Sequence, residues 1–226
     1  MKINNPLTIQ LLTLTLLTDI AFIVIHLFHS LTSLPAVADQ MFSLEFDKGY
    51  PEMFQYIKLF WISLIFIYMG VRRNRAYFVW ACFFGYLLLD DALSYHENFG
   101  SALAEWMSWS SALRLRPVDF GEIVYTLSIA AVFFIAIGLT YRKSALDFRQ
   151  VSHQLLFLIA ALAFFGVAVD MVHVMASNIP YVYGLIGMVE DGGEMMVISL
   201  ILCYSQAQIP LAASFRNTPR HGYVNH

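Results

Sequence analysis

Charged residues are scarce in this chain. Only 13% of its 226 residues are Asp, Glu, Lys or Arg, against about 25% in an average soluble domain. No polar stretch is long enough to bury a core of its own, so a separate soluble domain is excluded and residues 1–226 read as one integral membrane domain. Cysteine is nearly absent: Cys82 and Cys203 both sit inside apolar runs, which excludes a disulfide framework and makes them small buried hydrophobes. No Walker, Rossmann, zincin or haem-attachment motif occurs. Nothing in the sequence suits a nucleic acid partner.

Apolar residues make up 59% of the chain. Six runs are long enough to span the roughly 30 Å hydrocarbon core of a bilayer: Pro6–His29, Pro51–Val71, Ala76–Phe99, Pro117–Tyr141, Val151–Ser177 and Tyr183–Ala207. The expected fold is therefore all-α, a polytopic bundle of six transmembrane helices. Pro51 and Pro117 suit the first turn of a helix. The first run has Lys2 ahead of it and Ala36-Val37-Ala38 after it, like a secretory signal. Its length, with Asp19 and His26 inside it, makes a retained helix the better expectation.

With six spans, one side of the membrane receives Lys2, Arg72, Arg73, Arg75, Arg142, Lys143, Arg149, Arg216 and Arg220, and the other only Lys48, Arg114 and Arg116. The positive-inside rule then places both termini in the cytoplasm of a plasma or inner membrane. The acidic residues have the opposite bias. Apart from Asp19 and Asp147, they fall in the outer loops or the outer halves of the helices. Asp39, Glu45, Asp47 and Glu105 read as loop surface. Trp106 and Trp109 read as a headgroup belt, or as a short amphipathic helix covering the outer mouth of a site.

The pattern suggests three tandem helical hairpins, 6–75, 76–149 and 150–216. His26 precedes Glu52 by 26 positions and His96 precedes Glu122 by the same 26, while His173 precedes Glu194 by 21. Each His has an Asp upstream: Asp19, Asp90 or Asp91, and Asp170. Membrane proteins often place sites at repeat interfaces.

The densest polar segment is Asp90-Asp91-Ala92-Leu93-Ser94-Tyr95-His96-Glu97, at the end of an apolar run. Ionisable residues there are functional suspects. Imidazole and carboxylate together suit zinc, iron or manganese. The expected metal ligands are His26, His96, His173, Glu52, Glu194, Asp91 and Glu190, with Asp90, Glu122 and Asp170 as the acid–base residues of a membrane metalloenzyme acting on a lipid or another apolar substrate. Asp170 and His173 are three apart and Glu190 and Glu194 four apart, so each pair shares a helix face. Met171, Met175, Met188, Met195 and Met196 read as gap-fillers. Lys58 either snorkels outward or neutralises a carboxylate. Two other readings stay open: an ion- or proton-coupled transporter or relay, and an accessory subunit whose polar cluster ties helices together. The inner halves, such as Leu64-Ile65-Phe66-Ile67, are almost wholly apolar, which favours a one-sided pocket over a path through the membrane.

Overall fold

A computed structural model of the chain describes residues 5–32, 35–111 and 115–209; Lys2, Arg114, Arg216, Arg220, His221 and His226 lie outside them. The fold is all-α. The elements are α1 (Pro6–Leu31), α2 (Tyr50–Arg72), α3 (Phe78–Leu93), α4 (Tyr95–Trp106), α5 (Pro117–Lys143), α6 (Leu146–Ala163), a π-helical turn (Phe164–Val169), α7 (Asp170–Met175) and α8 (Pro180–Ala207). Five helical stretches are long and apolar enough to cross a membrane: α1, α2, Arg75–Leu93, α5, and the continuous run Leu146–Met175. The sixth long helix, α8, has 28 residues but carries Glu190, Asp191 and Glu194 near its middle.

Local sequence sets the helix starts. Asn5 caps α1, its side chain accepting from the Leu7 N–H at 3.1 Å, and a proline follows at once. Gly49 caps α2 ahead of Pro51, and Pro117 opens α5. In each case the proline's missing N–H falls where no helical partner exists.

Two departures from regular helix matter for function. The expected span Ala76–Phe99 is broken at Ser94, which takes left-handed dihedrals (φ 50°, ψ 43°) between α3 and α4. Such a conformation costs about 1–2 kcal/mol for a residue with a Cβ. Asn98 holds it, donating to the Ser94 carbonyl at 2.7 Å. Likewise, the expected span Val151–Ser177 contains the π turn immediately before Asp170. π turns inside helices recur at functional sites.

α8 is the hub, packing against α1, α2, α6, the π turn and α7. One end of the bundle is tightly filled. Phe66, Met69, Tyr77, Trp80, Phe84, Phe148, Leu155 and Ile201 are buried there, and the Trp80 indole donates to Ser152 Oγ at 3.0 Å. The basic turns Arg72-Arg73 and Arg142-Lys143 lie at this end, where Arg73 pairs with Asp147 at 2.8 Å. The opposite, acidic end is open. There α4 lies back on α5, so closely that a Cβ on Gly121 would collide with the Gly100 carbonyl. Elsewhere α5 presents Leu127, Val132, Ile135 and Leu139 outward, a surface that suits lipid rather than water.

Between the two ends, Lys58 of α2 and Asp19 of α1 form an ion pair at 2.8 Å with both side chains fully buried. Lys58 also donates to the Met195 carbonyl (2.8 Å) and to Ser199 Oγ (3.1 Å), and Ser199 donates to Asp19 at 2.5 Å. Lys58 therefore neutralises a carboxylate rather than snorkelling, and Asp19 ties α1 to α2 and α8.

Removing one partner of such a pair strands a buried charge, at a cost of about 3–5 kcal/mol. Lys58→Met is expected to lower the thermal unfolding temperature in detergent sharply, and Asp19→Leu with Lys58→Met to recover most of the loss. A double variant no more stable than the single one would show that the pair is not what joins these helices.

Candidate metal centre

The acidic end contains a cavity of about 830 Å³. Eleven carboxylates line it: Glu45, Asp47, Glu52, Asp90, Asp91, Glu97, Glu122, Asp170, Glu190, Asp191 and Glu194. Arg116 is the one lysine or arginine among the described residues that line it, and His96 the one histidine. Charges of one sign confined together are stable only when protons or cations offset them.

Two sets of side chains within this region have ligand atoms all within 4.8 Å of one another: Asp90, Asp91 and His96, and Asp170, His173 and Glu190. The break at Ser94 builds the first set. On one continuous helix, Asp91 and His96 would be offset by five positions; the left-handed turn starts a new helix and brings His96 back over the end of α3. His96 Nδ1 lies 3.3 Å from Asp90 Oδ2. The other Asp90 oxygen lies within hydrogen-bond reach of the Tyr86 (3.1 Å) and Tyr125 (3.3 Å) hydroxyls, which are 2.9 Å from each other and share their two protons among these contacts. Asp90 is thus held from three sides. The hydrogen bond to Asp90 pushes the His96 imidazole up to about 9, against the opposing effect of burial. Without a metal, His96 is a cation at neutral pH.

The second set spans α7 and α8. His173 Nδ1 is 2.7 Å from Glu190 Oε2, and the imidazole packs on Tyr183 with ring centroids 4.0 Å apart. The π turn shapes the same wall. The Glu194 carboxylate lies directly against Gly166 of that turn, and Gln55 Nε2 reaches its other oxygen at 3.5 Å.

The remaining expected residues divide. Glu52 and Glu122 line the cavity outside both sets. Glu52 accepts from Tyr56 at 2.5 Å and from the Lys48 N–H, while Glu122 packs on Gly100. His26 neither lines the cavity nor joins a set. Its Nδ1 accepts from the Leu44 N–H at 3.1 Å, and Ser43 and Ser30 hydroxyls lie 3.4 and 3.5 Å from its ring nitrogens. The three histidines do not converge on one point; His26 anchors the loop between α1 and α2 instead.

Several residues of the site were not singled out from the sequence. Tyr86 precedes Asp90 by four and so shares its face, a signal available in advance. Tyr125, Asp191 and Gln55 carried no comparable signal. Glu45 is an exposed loop residue, as expected, but one of its carboxylate oxygens lies against Gly187, and partial burial pushes its carboxyl up. Arg116 is engaged by Asp119, which accepts from its backbone N–H (2.7 Å), Nε (3.0 Å) and Nη2 (2.7 Å); this raises the guanidinium further above its usual range.

Residues 7–207 match the family described as a domain of unknown function, DUF8692, and the chain belongs to that family. No curated protein and no solved structure matches it.

The Asp90–His96 pair gives a pH signature. A histidine raised by folding contributes stability that is whole below its unfolded value near 6.5 and disappears as pH climbs through about 9. Metal-free protein in detergent is therefore expected to lose stability between pH 7 and 9.5, by about 1 kcal/mol after discounting for the exposed part of the ring. His96→Gln is expected to flatten that part of the unfolding-temperature profile. An unchanged profile in the variant would mean that the pair does not form.

Proposed function

We propose that this chain is a six-span, multi-pass membrane protein whose acidic cavity binds divalent metal at its two His–carboxylate sets and acts as a metalloenzyme on a lipid or another apolar substrate. One observation carries the reading: both metal-competent sets adjoin a single cavity that is carboxylate-lined at one end and apolar at the other. Asp90, Asp91, His96, Asp170 and Glu190 line the polar part, and Leu59, Phe83, Phe134, Ile159 and Ile198 the apolar part. Phe134 is twelve residues beyond Glu122 on α5, which sets it about 18 Å deeper along the helix axis. A chamber of that depth suits a hydrocarbon chain with its polar head among the carboxylates.

The nitrogen and oxygen donors suit zinc, iron or manganese. A divalent ion there supplies a Lewis acid and lowers the pKa of water toward neutrality. The chain's own residues do the rest. Tyr86 and Tyr125 fix Asp90, which orients His96. Glu122 and Glu194 lie on the cavity wall as acid–base groups. The apolar walls exclude water from the buried part of the substrate.

The basic turns support an orientation with both termini in the cytoplasm and the cavity opening toward the outer face. The recurrent His–Glu spacing supports three ancestral hairpins. A transporter fits less well, because the cavity ends against Phe83 and Ile198 above the packed aromatic core.

Elemental mass spectrometry of detergent-purified protein, prepared without chelator, tests the metal. One or two zinc, iron or manganese ions per chain are expected, with about one lost in His96→Ala and about one in His173→Ala. Native mass spectrometry tests the chamber: co-purified lipid is expected in the parent and to fall in Ala130→Trp, which fills it. Metal-free parent protein that takes up no added zinc, iron or manganese would overturn the metalloenzyme reading.

A further inference from the structure

His173 leaves one ring atom unexplained. Its Nδ1 is engaged by Glu190 at 2.7 Å, yet its Nε2 is buried and has no hydrogen-bond partner among the described residues. A buried imidazole nitrogen without a partner is uncommon. With Nδ1–H donating to a carboxylate, Nε2 carries the lone pair, the tautomer that metal-binding histidines adopt.

The space around Nε2 is shared with a carboxylate from another part of the chain. A Cβ placed on Gly187 would meet Glu45 Oε1 at 2.6 Å and His173 Nε2 at 3.0 Å. Both atoms therefore approach the same point on α8, where Gly187 carries no side chain. Glu45 is brought there by its neighbour: Leu44 is buried and its N–H donates to His26.

We infer that His173 Nε2 and Glu45 Oε1 are ligands of a divalent metal, with Glu190 orienting the imidazole from behind, so that metal binding latches the α1–α2 loop onto α8 across the cavity mouth. The site uses Glu190 as the hydrogen-bonded partner of the ligand rather than as the ligand itself. His26 then serves the site at a distance, because it holds Leu44, and through it Glu45, in register with α7. The inference rests on the reading that the Asp170–His173–Glu190 region takes a metal, and adds that the loop completes it.

The loop reports its own state. Lys48 is exposed, with φ 60°, three residues from Glu45, and trypsin cleaves after lysine only when local opening presents the bond. The test uses the full chain in detergent, stripped of metal and titrated with zinc. Bound zinc and the rate of cleavage after Lys48 are both measured. Two zinc ions are expected to bind, with cleavage slowed several-fold. Glu45→Gln and His173→Ala are each expected to lose one zinc and the protection, and His96→Ala to lose the other zinc and keep the protection. Glu45→Gln alters a surface loop, so its result stands even where His173→Ala folds poorly. Full zinc binding and full protection in Glu45→Gln would overturn the latch while leaving the metal reading intact. No zinc binding in the parent protein would overturn both.

Discussion

Negative charge in a confined, poorly hydrated space is the constraint around which this molecule is arranged. Eleven of its sixteen carboxylates face one cavity, with a single arginine beside them among the described residues, and each added charge raises the cost of the next. A folded chain tolerates this only where protons, hydrogen-bond donors or cations are at hand. The structure uses donors first. Tyr86 and Tyr125 serve Asp90, Tyr56 serves Glu52, and Gln55 serves Glu194. Asp119, next to the cavity, is satisfied by Arg116. Asp91, Asp170 and Asp191 receive no donor of this kind among the described residues, and these sit beside His96, His173 and Glu190, the groups best suited to share a cation.

The irregular backbone follows from the same constraint. Carboxylates and imidazoles at helical spacing project along one face of their own helix and cannot surround an ion. The left-handed Ser94 ends α3 and lets α4 present His96 against Asp90. The π turn before Asp170 opens the wall at Gly166, and Glu194 fills the gap. The contact of Gly100 with Gly121 lets α4 lie close on α5 and carries Glu122 to the cavity. These departures sit at the acidic end, while the basic end is regular helix packed around Phe66, Trp80 and Phe84. The filled half supplies the rigidity against which the open half holds its geometry.

Much of this was legible from composition and spacing. Apolar runs mark the long helices to within a few residues, because membrane-length segments leave little ambiguity. The pairing of Asp170 with His173 follows from the helical repeat. What spacing could not convey is which residues leave the helix. Serine is an ordinary helix residue, and nothing local to Ser94 announces positive φ; the expected Ala76–Phe99 helix therefore put His96 on the wrong side of Asp91. The π turn is equally silent. His26 misled for another reason. Its position relative to Glu52 matches that of His96 to Glu122, yet an imidazole serves as readily as a hydrogen-bond acceptor for a loop N–H as for a metal, and only the partner decides.

That difference bears on the proposed three-hairpin repeat. In the segment 6–75, Asp19 and His26 both serve structure rather than the cavity. Asp19, the counterpart of Asp90 and Asp170, is neutralised by Lys58 and locks α1 to α8. His26, the counterpart of His96 and His173, fixes the loop that bears Glu45. The segments 76–149 and 150–216 each keep an aspartate and a histidine together within a set of ligand-capable atoms. All three segments bring carboxylates to the cavity, 6–75 supplying Glu45, Asp47 and Glu52, while Asp19 and His26 of that same segment tie α1 to the bundle and hold the α1–α2 loop.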